Sequence, residues 1–341
     1  MTAASVVDDQ TAAAIRQALS HAAEGRISDA IVVAERAIED GADGAALNAM
    51  LGMLKSRVGD LDAATPHLTA AHHARPADVV IAGNLASVLA QQGRHREALD
   101  IATEKLARTD KSLQLLRVRG FLAQTVGEYQ TATDAYELVV AAAPGDWESW
   151  NNLGNARRAA DDAEGAIKAL GRAVDINPLS APVRLNYATA LEYAGKVVKA
   201  EDEYRRMAND FPDDSKPMRE LFAMLKTQFR DEEAHEAIEE AVRRAPHDVA
   251  LALGLASHRL TRLRHAAAEE AYRRVLTIDP GNALAYLGIA TVLDQTNRTD
   301  ELADLVIEAQ SANVAPDGLS FVKAFDHRRA KRYTEGLEAL S

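Results

Sequence analysis

The stretch WESWNNLGNARRAADDAEGAIKALGRAVDINPLS, residues 147–180, decides the architecture. Its Pro178 recurs at Pro144, Pro212, Pro246 and Pro280, each 34 residues from the next, and Pro76 lies two periods before Pro144. Its Ala166 recurs at Ala30, Ala64, Ala98, Ala132, Ala200, Ala234 and Ala268. Glycines at Gly25, Gly59, Gly93 and Gly127 keep the same period, skip this unit and return at Gly195. Three residue types in one period and one phase establish an internal repeat, which takes precedence over any element-by-element reading.

Each class has a mechanical reason. The alanines mark the crossing of two antiparallel helices, where a larger side chain would push the helices apart or strain its rotamer. Gly52, Ala86, Gly120, Gly154, Ala188, Ala256 and Ala290 form the matching small position on the first helix of each pair. The glycines fall in the turn between the helices, where a left-handed residue ends a helix cheaply. The prolines stop the second helix because they have no N–H to continue the ladder. Two residues after each proline position stands a capping side chain: Asp78, Ser112, Asp146, Ser180, Asp214, Asp248 and Asn282. The frame is therefore 11–44, 45–78, 79–112, 113–146, 147–180, 181–214, 215–248, 249–282 and 283–316, with an incomplete tenth unit over 317–341.

Trp150, Leu153, Gly154, Ala166, Leu170, Ala173 and Pro178 stand at the signature spacings of the tetratricopeptide repeat family, which the chain resembles over nearly its whole length. That resemblance implies an all-α, right-handed superhelical solenoid of antiparallel helix pairs, here nine full repeats and a partial tenth. It implies that first helices line a concave groove, and that the protein is a scaffold taking a protein or an extended peptide there. Residues 1–10 are expected to be an unstructured lead. Phe222 occupies a small position and Phe229 replaces the turn glycine, so unit 215–248 is expected to pack differently from its neighbours. Leu302 and Gly336 stand at the alanine position of the last units, which are degenerate as terminal repeats often are.

Composition narrows the function classes. The chain has 341 residues, a net charge of −12 and no cysteine. General nucleic-acid binding needs basic patches to neutralise phosphates, and the acidic balance of the chain argues against it. Disulfides, thiolate catalysis and zinc–thiolate sites are excluded. Residues 1–10 have neither the basic nor the apolar region of a signal peptide, and no apolar run approaches a membrane span, so a cytoplasmic location without membrane contact is expected. No P-loop, dinucleotide fingerprint or nucleophile elbow occurs, and carboxylates show no fixed pairing. The chain is expected to be no enzyme by itself and to need no cofactor or metal.

The candidate contacts come from the groove side of the first helices. Asn84, Asn152 and Asn186 share one frame position, interrupted by Val118; Asn151, Asn155, Arg117 and Arg158 lie beside them. Amides both donate and accept, so a column of them can grip the backbone of an extended peptide with little regard to its sequence. The family resemblance implies the same role for asparagines at this position. Arg117, Arg158 and Arg219 would add bidentate contacts to carboxylate or phosphate. Taken singly, each of these polar residues also reads as mere solvation of a groove. Trp150 reads as core and Trp147 as a half-buried packing residue; His67, His72 and His73 read as a solvated helix surface rather than a metal site.

The C-terminus ends on an unfinished amphipathic helix, Leu337 to Ser341. It is expected either to continue in a longer protein or to be completed by another chain, a second copy included. Gly318 to Ala324, the basic run Asp326 to Arg332, and Tyr333 to Leu340 resemble the late repeats of bacterial tetratricopeptide–sulfotransferase proteins. The resemblance implies an alternative role as the recognition arm of a transferase, a sulfotransferase or, as a variant, a glycosyltransferase. The donor loop of such a domain, a Pro-Arg-Ser-Gly-Thr type sequence, is absent from these residues, so the chain alone transfers nothing.

Overall fold

Local signals set the helices before packing does. In the computed structural model, residues 3–42, 44–109, 112–314, 320, 322–325 and 335 are described. They divide into two compact units, residues 1–194 and 195–341. In the first unit α1 (Ala3–Ala23) precedes α2 (Ile27–Glu39), and α3 (Gly44–Arg57) precedes α4 (Leu61–Ala74). Then come α5 (Val79–Gln91) with α6 (His95–Ile101) and α7 (Glu104–Thr109), α8 (Leu113–Thr125) with α9 (Tyr129–Ala142), α10 (Trp147–Ala159) with α11 (Ala163–Ile176), and α12 (Ala181–Tyr193). The second unit holds α13 (Val197–Asp210), α14 (Lys216–Thr227), α15 (Asp231–Arg244), α16 (Val249–Thr261), α17 (His265–Ile278), α18 (Ala283–Gln295) and α19 (Thr299–Ser311). No strand occurs among the described residues.

Within each unit a helix packs on the next in sequence and so buries both of its sides in turn: α3 on α4, α4 on α5, α9 on α10, α10 on α11, and likewise α14 through α19. This is the helix-pair stacking of a solenoid. The crossings are as tight as the small positions demand. Ala30, Ala64, Ala98, Ala132, Ala166, Ala200, Ala234 and Ala268 are all fully buried. A Cβ on Gly52 would lie 2.3 Å from Leu68 Cγ, one on Gly120 2.7 Å from the Tyr136 ring, and one on Gly154 2.4 Å from Leu170 Cγ. Each partner sits sixteen residues on, across the hairpin.

The inter-helix turns need φ above zero at one residue. Gly25, Gly59, Gly93, Gly127 and Gly195 supply it, with φ between 70° and 83°. Where glycine is missing the geometry persists: Asp161, Phe229, Leu263 and Asn297 take φ values of 64°, 59°, 56° and 59°. A side chain there costs about 1–2 kcal/mol relative to the right-handed region. Of the seven expected caps, Asp78, Ser112, Asp146, Asp248 and Asn282 accept backbone N–H groups of the helix they open. Ser180 makes no such bond, and Asp214 accepts the N–H of Lys216 from one residue further out, because α14 starts one residue late, on Lys216 with Ser215 in the cap position.

Unit 79–112 departs from the frame. Its second helix breaks at Ala102-Thr103, where Thr103 Oγ1 accepts the Leu106 N–H to start α7. The Ala102 carbonyl freed by the break accepts from Arg119 Nη1 at 3.0 Å. The period also lacks its proline there, having Asp110. At the other end, the helix of residues 3–10 replaces the expected unstructured lead, since α1 begins at Ala3. Leu302 fits its alanine position fully buried. Gly336, the basic run 326–332 and the unfinished helix 337–341 lie outside the described residues.

Two substitutions read out these constraints. Gly154→Ala improves helix propensity by about 1 kcal/mol, yet overpacking against Leu170 costs about 1–3 kcal/mol. The net outcome in urea unfolding is a loss, and Leu170→Ala in the same chain removes the penalty of the added methyl. Phe229→Gly relieves a strained φ on a side chain that is 89% exposed, so it raises stability by about 1 kcal/mol; a fall in the unfolding midpoint would contradict the assigned turn geometry.

Candidate functional site

The first helices α5, α8, α10 and α12 of the first unit stand side by side, α5 touching α8, α8 touching α10 and α10 touching α12. α5, α8 and α10 are each anchored from behind by their own second helix, α6, α9 and α11, so one face of each stays open. Seven of the eight sequence-derived candidates lie on these four helices, all half-buried. Arg219 lies on α14, in the second unit.

Three of the asparagines form an amide chain. Asn186 Nδ2 on α12 donates to Asn151 Oδ1 on α10 at 2.8 Å, and Asn151 Nδ2 donates to Asn152 Oδ1 at 3.4 Å. One turn further along α10, Asn155 Oδ1 and Arg158 Nε are buried and have no hydrogen-bond partner. A buried polar atom left unpaired costs about 1–3 kcal/mol, so this corner of the face carries unmet acceptor and donor capacity. Arg158 also lies near Tyr193, whose hydroxyl donates to Asp161; that hydrogen bond raises the phenol above its ordinary value, while the Arg158 charge opposes the rise.

The arginines differ from expectation. Arg117 is committed: its Nε and Nη2 donate to Asp146 Oδ2 at 3.1 and 2.7 Å. Asp146 is also the cap of α10, accepting from Ser149 N and Ser149 Oγ at 3.2 and 2.7 Å. Burial pushes the Asp146 carboxyl up, but the bonds from Ser149 and Arg117 outweigh it and hold the group below its usual value. Arg219 donates through Nε and Nη2 to Glu220 Oε1 at 3.1 and 2.9 Å. Of the three guanidiniums expected to meet an anion, two already hold a carboxylate of the protein.

A depression of about 390 Å³ opens among α5, α8, α9 and α10. Val118, Phe121, Leu122 and Tyr136 make it apolar, while Gln91, Arg117 and Asn152 line it with polar groups. Phe121, which is 55% exposed, was not legible as a site residue. Its place is one turn beyond Arg117 on the same helix, and that spacing is the only signal for it. Depth depends on Gly120: the missing side chain lets the Tyr136 ring lie against the α8 backbone.

The remaining candidates behave as packing. Trp150 is half-buried and its indole N–H donates to the Pro144 carbonyl at 2.9 Å. His67 Nδ1 pairs with Asn48 Oδ1 at 2.7 Å. Among the described residues no three His, Asp or Glu side chains gather as a metal site, and no helix is long and apolar enough to cross a membrane.

Family models described as "Tetratricopeptide repeat" match residues 49–112, 119–181 and 232–283, more than half of the chain, and a second such model matches 157–225. The chain belongs to the tetratricopeptide repeat (TPR) family. The matched residues stop at 283, and the segment 318–340 that resembles sulfotransferase-associated repeats lies largely outside the described residues. A solved TPR protein from Parabacteroides merdae is 18% identical, with a TM-score of 0.53 over 73% of this chain and 99% of that one. The C-terminal part of a TPR repeat-containing protein from Cytophaga hutchinsonii is 17% identical, with a TM-score of 0.54 over 81% and 99%. Identities this low report the fold alone.

The Arg117–Asp146 pair has a readable pH signature. A depressed carboxyl contributes stability that is present above its unfolded value, near 3.8, and lost as pH falls through the lower folded value. Asp146→Asn keeps the cap and loses the ion pair. The variant is less stable than the native protein at pH 6, by about 0.5–1 kcal/mol for a partly exposed pair. The gap closes as the pH is taken below 3.8 in thermal unfolding.

Proposed function

We propose that the TPR face formed by α5, α8, α10 and α12 binds an extended segment of a partner protein, and that the chain serves as an interaction scaffold. The TPR fold supports the scaffold role, because a stack of helix pairs leaves one face free without burying any reactive group. The observation that carries the peptide reading is the pairing of unmet polar capacity with an apolar depression on the same face. Asn155 Oδ1 and Arg158 Nε are buried and unpaired, and the hollow beside Phe121 is edged by Asn152 and Arg117.

The division of labour follows from chemistry. The hollow takes one apolar side chain of the segment, whose burial contributes about 1.5–3 kcal/mol. The amides of Asn151, Asn152 and Asn186 already bond to one another, so they exchange bonds with a guest backbone rather than create them. Asn155 and Arg158 gain most, since an N–H donor meets the first and an oxygen acceptor the second. Arg117, neutralised by Asp146, shapes the hollow and does not select for charge. Asn84, on α5 beside the hollow, extends the polar line toward the first repeats.

The test is affinity selection of peptides on the full chain, followed by titration of a selected peptide. Asn155→Ala and Arg158→Ala each weaken that peptide by about 1–3 kcal/mol, and Phe121→Ala weakens it by removing a wall of the hollow. Asn152→Ala with Asn186→Ala gives a smaller loss. Selected peptides whose affinity is unmoved by all of these changes, with the helical spectrum intact, would place the binding face elsewhere.

A further inference from the structure

His258 stands where the repeat frame expects a buried apolar side chain. The equivalent residues are Leu54, Val88, Leu122, Ala156, Ala190, Met224 and Val292, all buried. His258 is 2% exposed, and neither of its ring nitrogens has a hydrogen-bond partner. Its ring stacks on His235 of α15, centroids 5.5 Å apart and planes at 26°. The ring of Phe222 on α14 stands perpendicular to it, centroids 5.5 Å apart and planes at 89°. Phe222 is itself the residue that breaks the small position of its unit, so two departures from the repeat meet at one point. We propose that His258, stacked on His235, is a pH-sensitive fastener that holds α14, α15 and α16 together when neutral and releases them when protonated.

The surroundings explain the direction. Burial disfavours the imidazolium of His258, and the charges of His235, Lys226 and Arg262 add to that, with only Asp231 opposing. Asp231 is shared, since Arg262 lies 3.5 Å from it and also binds Glu232. Lys226 on α14 sits over the Phe222 ring at 5.5 Å. His235 is likewise depressed by burial; its Nε2 pairs with Glu239 at 3.2 Å, while Arg264 and Arg259 work against its charge. Of α17 and α18, which also pack on α16, Glu270, Arg273 and Arg274 are exposed. His265 bonds Gln295, Glu269 holds Arg273 and Arg298, and Asp294 is the one charged residue of α18. Asp231 is thus the carboxylate that favours a charge at His258, and Arg262 already shares it.

The sign is fixed. A histidine depressed in the folded state favours folding fully above its unfolded value, 6.5, and that contribution is lost as pH falls toward the folded value. At pH 5.5, an imidazole that stays neutral when packed but titrates normally when released tips the balance toward opening by about tenfold. The device needs no ligand and acts only on the second unit.

Hydrogen exchange of the full chain at pH 7.5 and 5.5, corrected for intrinsic rates, tests it against His258→Leu, which installs the residue of positions 54 and 122. In the native protein the protection of amides in 216–261 falls by about tenfold at the lower pH, and in the variant it does not. Equal losses in both proteins, or a loss spread evenly over the chain, overturn the proposal. If the variant fails to fold, the imidazole resonance of His258 in the native protein decides: a midpoint well below 6.5 supports the fastener, and one at or above 6.5 removes it.

Discussion

Where Gly154 meets Leu170, a Cβ on the glycine would lie 2.4 Å from the leucine Cγ. That approach, repeated at Gly52 with Leu68 and Gly120 with Tyr136, sets how close two helices of a hairpin can come. With the helices this near, the fully buried alanines of the second helices have no room to spare on their other side. Each second helix is then pressed against the following first helix, and the stack propagates by neighbour contact alone. The face of the first helices is left open as a geometric residue of that packing. It is not a pocket designed into a closed core.

The open face inherits its chemistry from the same arrangement. Because Gly120 is bare, the Tyr136 ring lies under α8 and becomes part of the depression beside Phe121. Because α10 needs a cap, Asp146 stands at its first turn, and Arg117 from the preceding pair reaches it. A structural requirement of one repeat thus neutralises a charge offered by another. What remains unspent is the far end of α10, Asn155 and Arg158, and there the polar capacity of the face is concentrated.

Most of this fold was legible as spacing. Prolines, alanines and glycines in one phase state the helix boundaries to within a residue or two, since each acts through its own backbone or its own contact. The break at Ala102-Thr103 was not legible, because it depends on Thr103 competing for a backbone N–H and on Arg119 arriving from another helix. Neither partner is local in sequence. The candidate site was half legible for the same reason. A frame position names Asn152 and Asn186, but the Asn186–Asn151 bond, the Arg117–Asp146 pair and the role of Phe121 belong to contacts between repeats. A periodic sequence cannot say which of several polar neighbours will find each other.

Departures from a repeat are informative in proportion to what they cost. Phe229 holds a left-handed turn with its ring in solvent, which strains one residue and nothing around it. Leu263 does the same. His258 is different in kind, because a buried imidazole without partners gives up hydrogen bonds that Leu or Val never needed, and because its environment changes with a proton. Phe222 enlarges the small position of its own unit and packs perpendicular to that ring. Two substitutions that each weaken a regular solenoid gain a physical sense when taken together, since the two rings pack on one another while the nearby Lys226 and Arg262 oppose a charged imidazole. The repeat frame supplies the reference against which such a pairing can be seen, and the chemistry lies in the residues that break it.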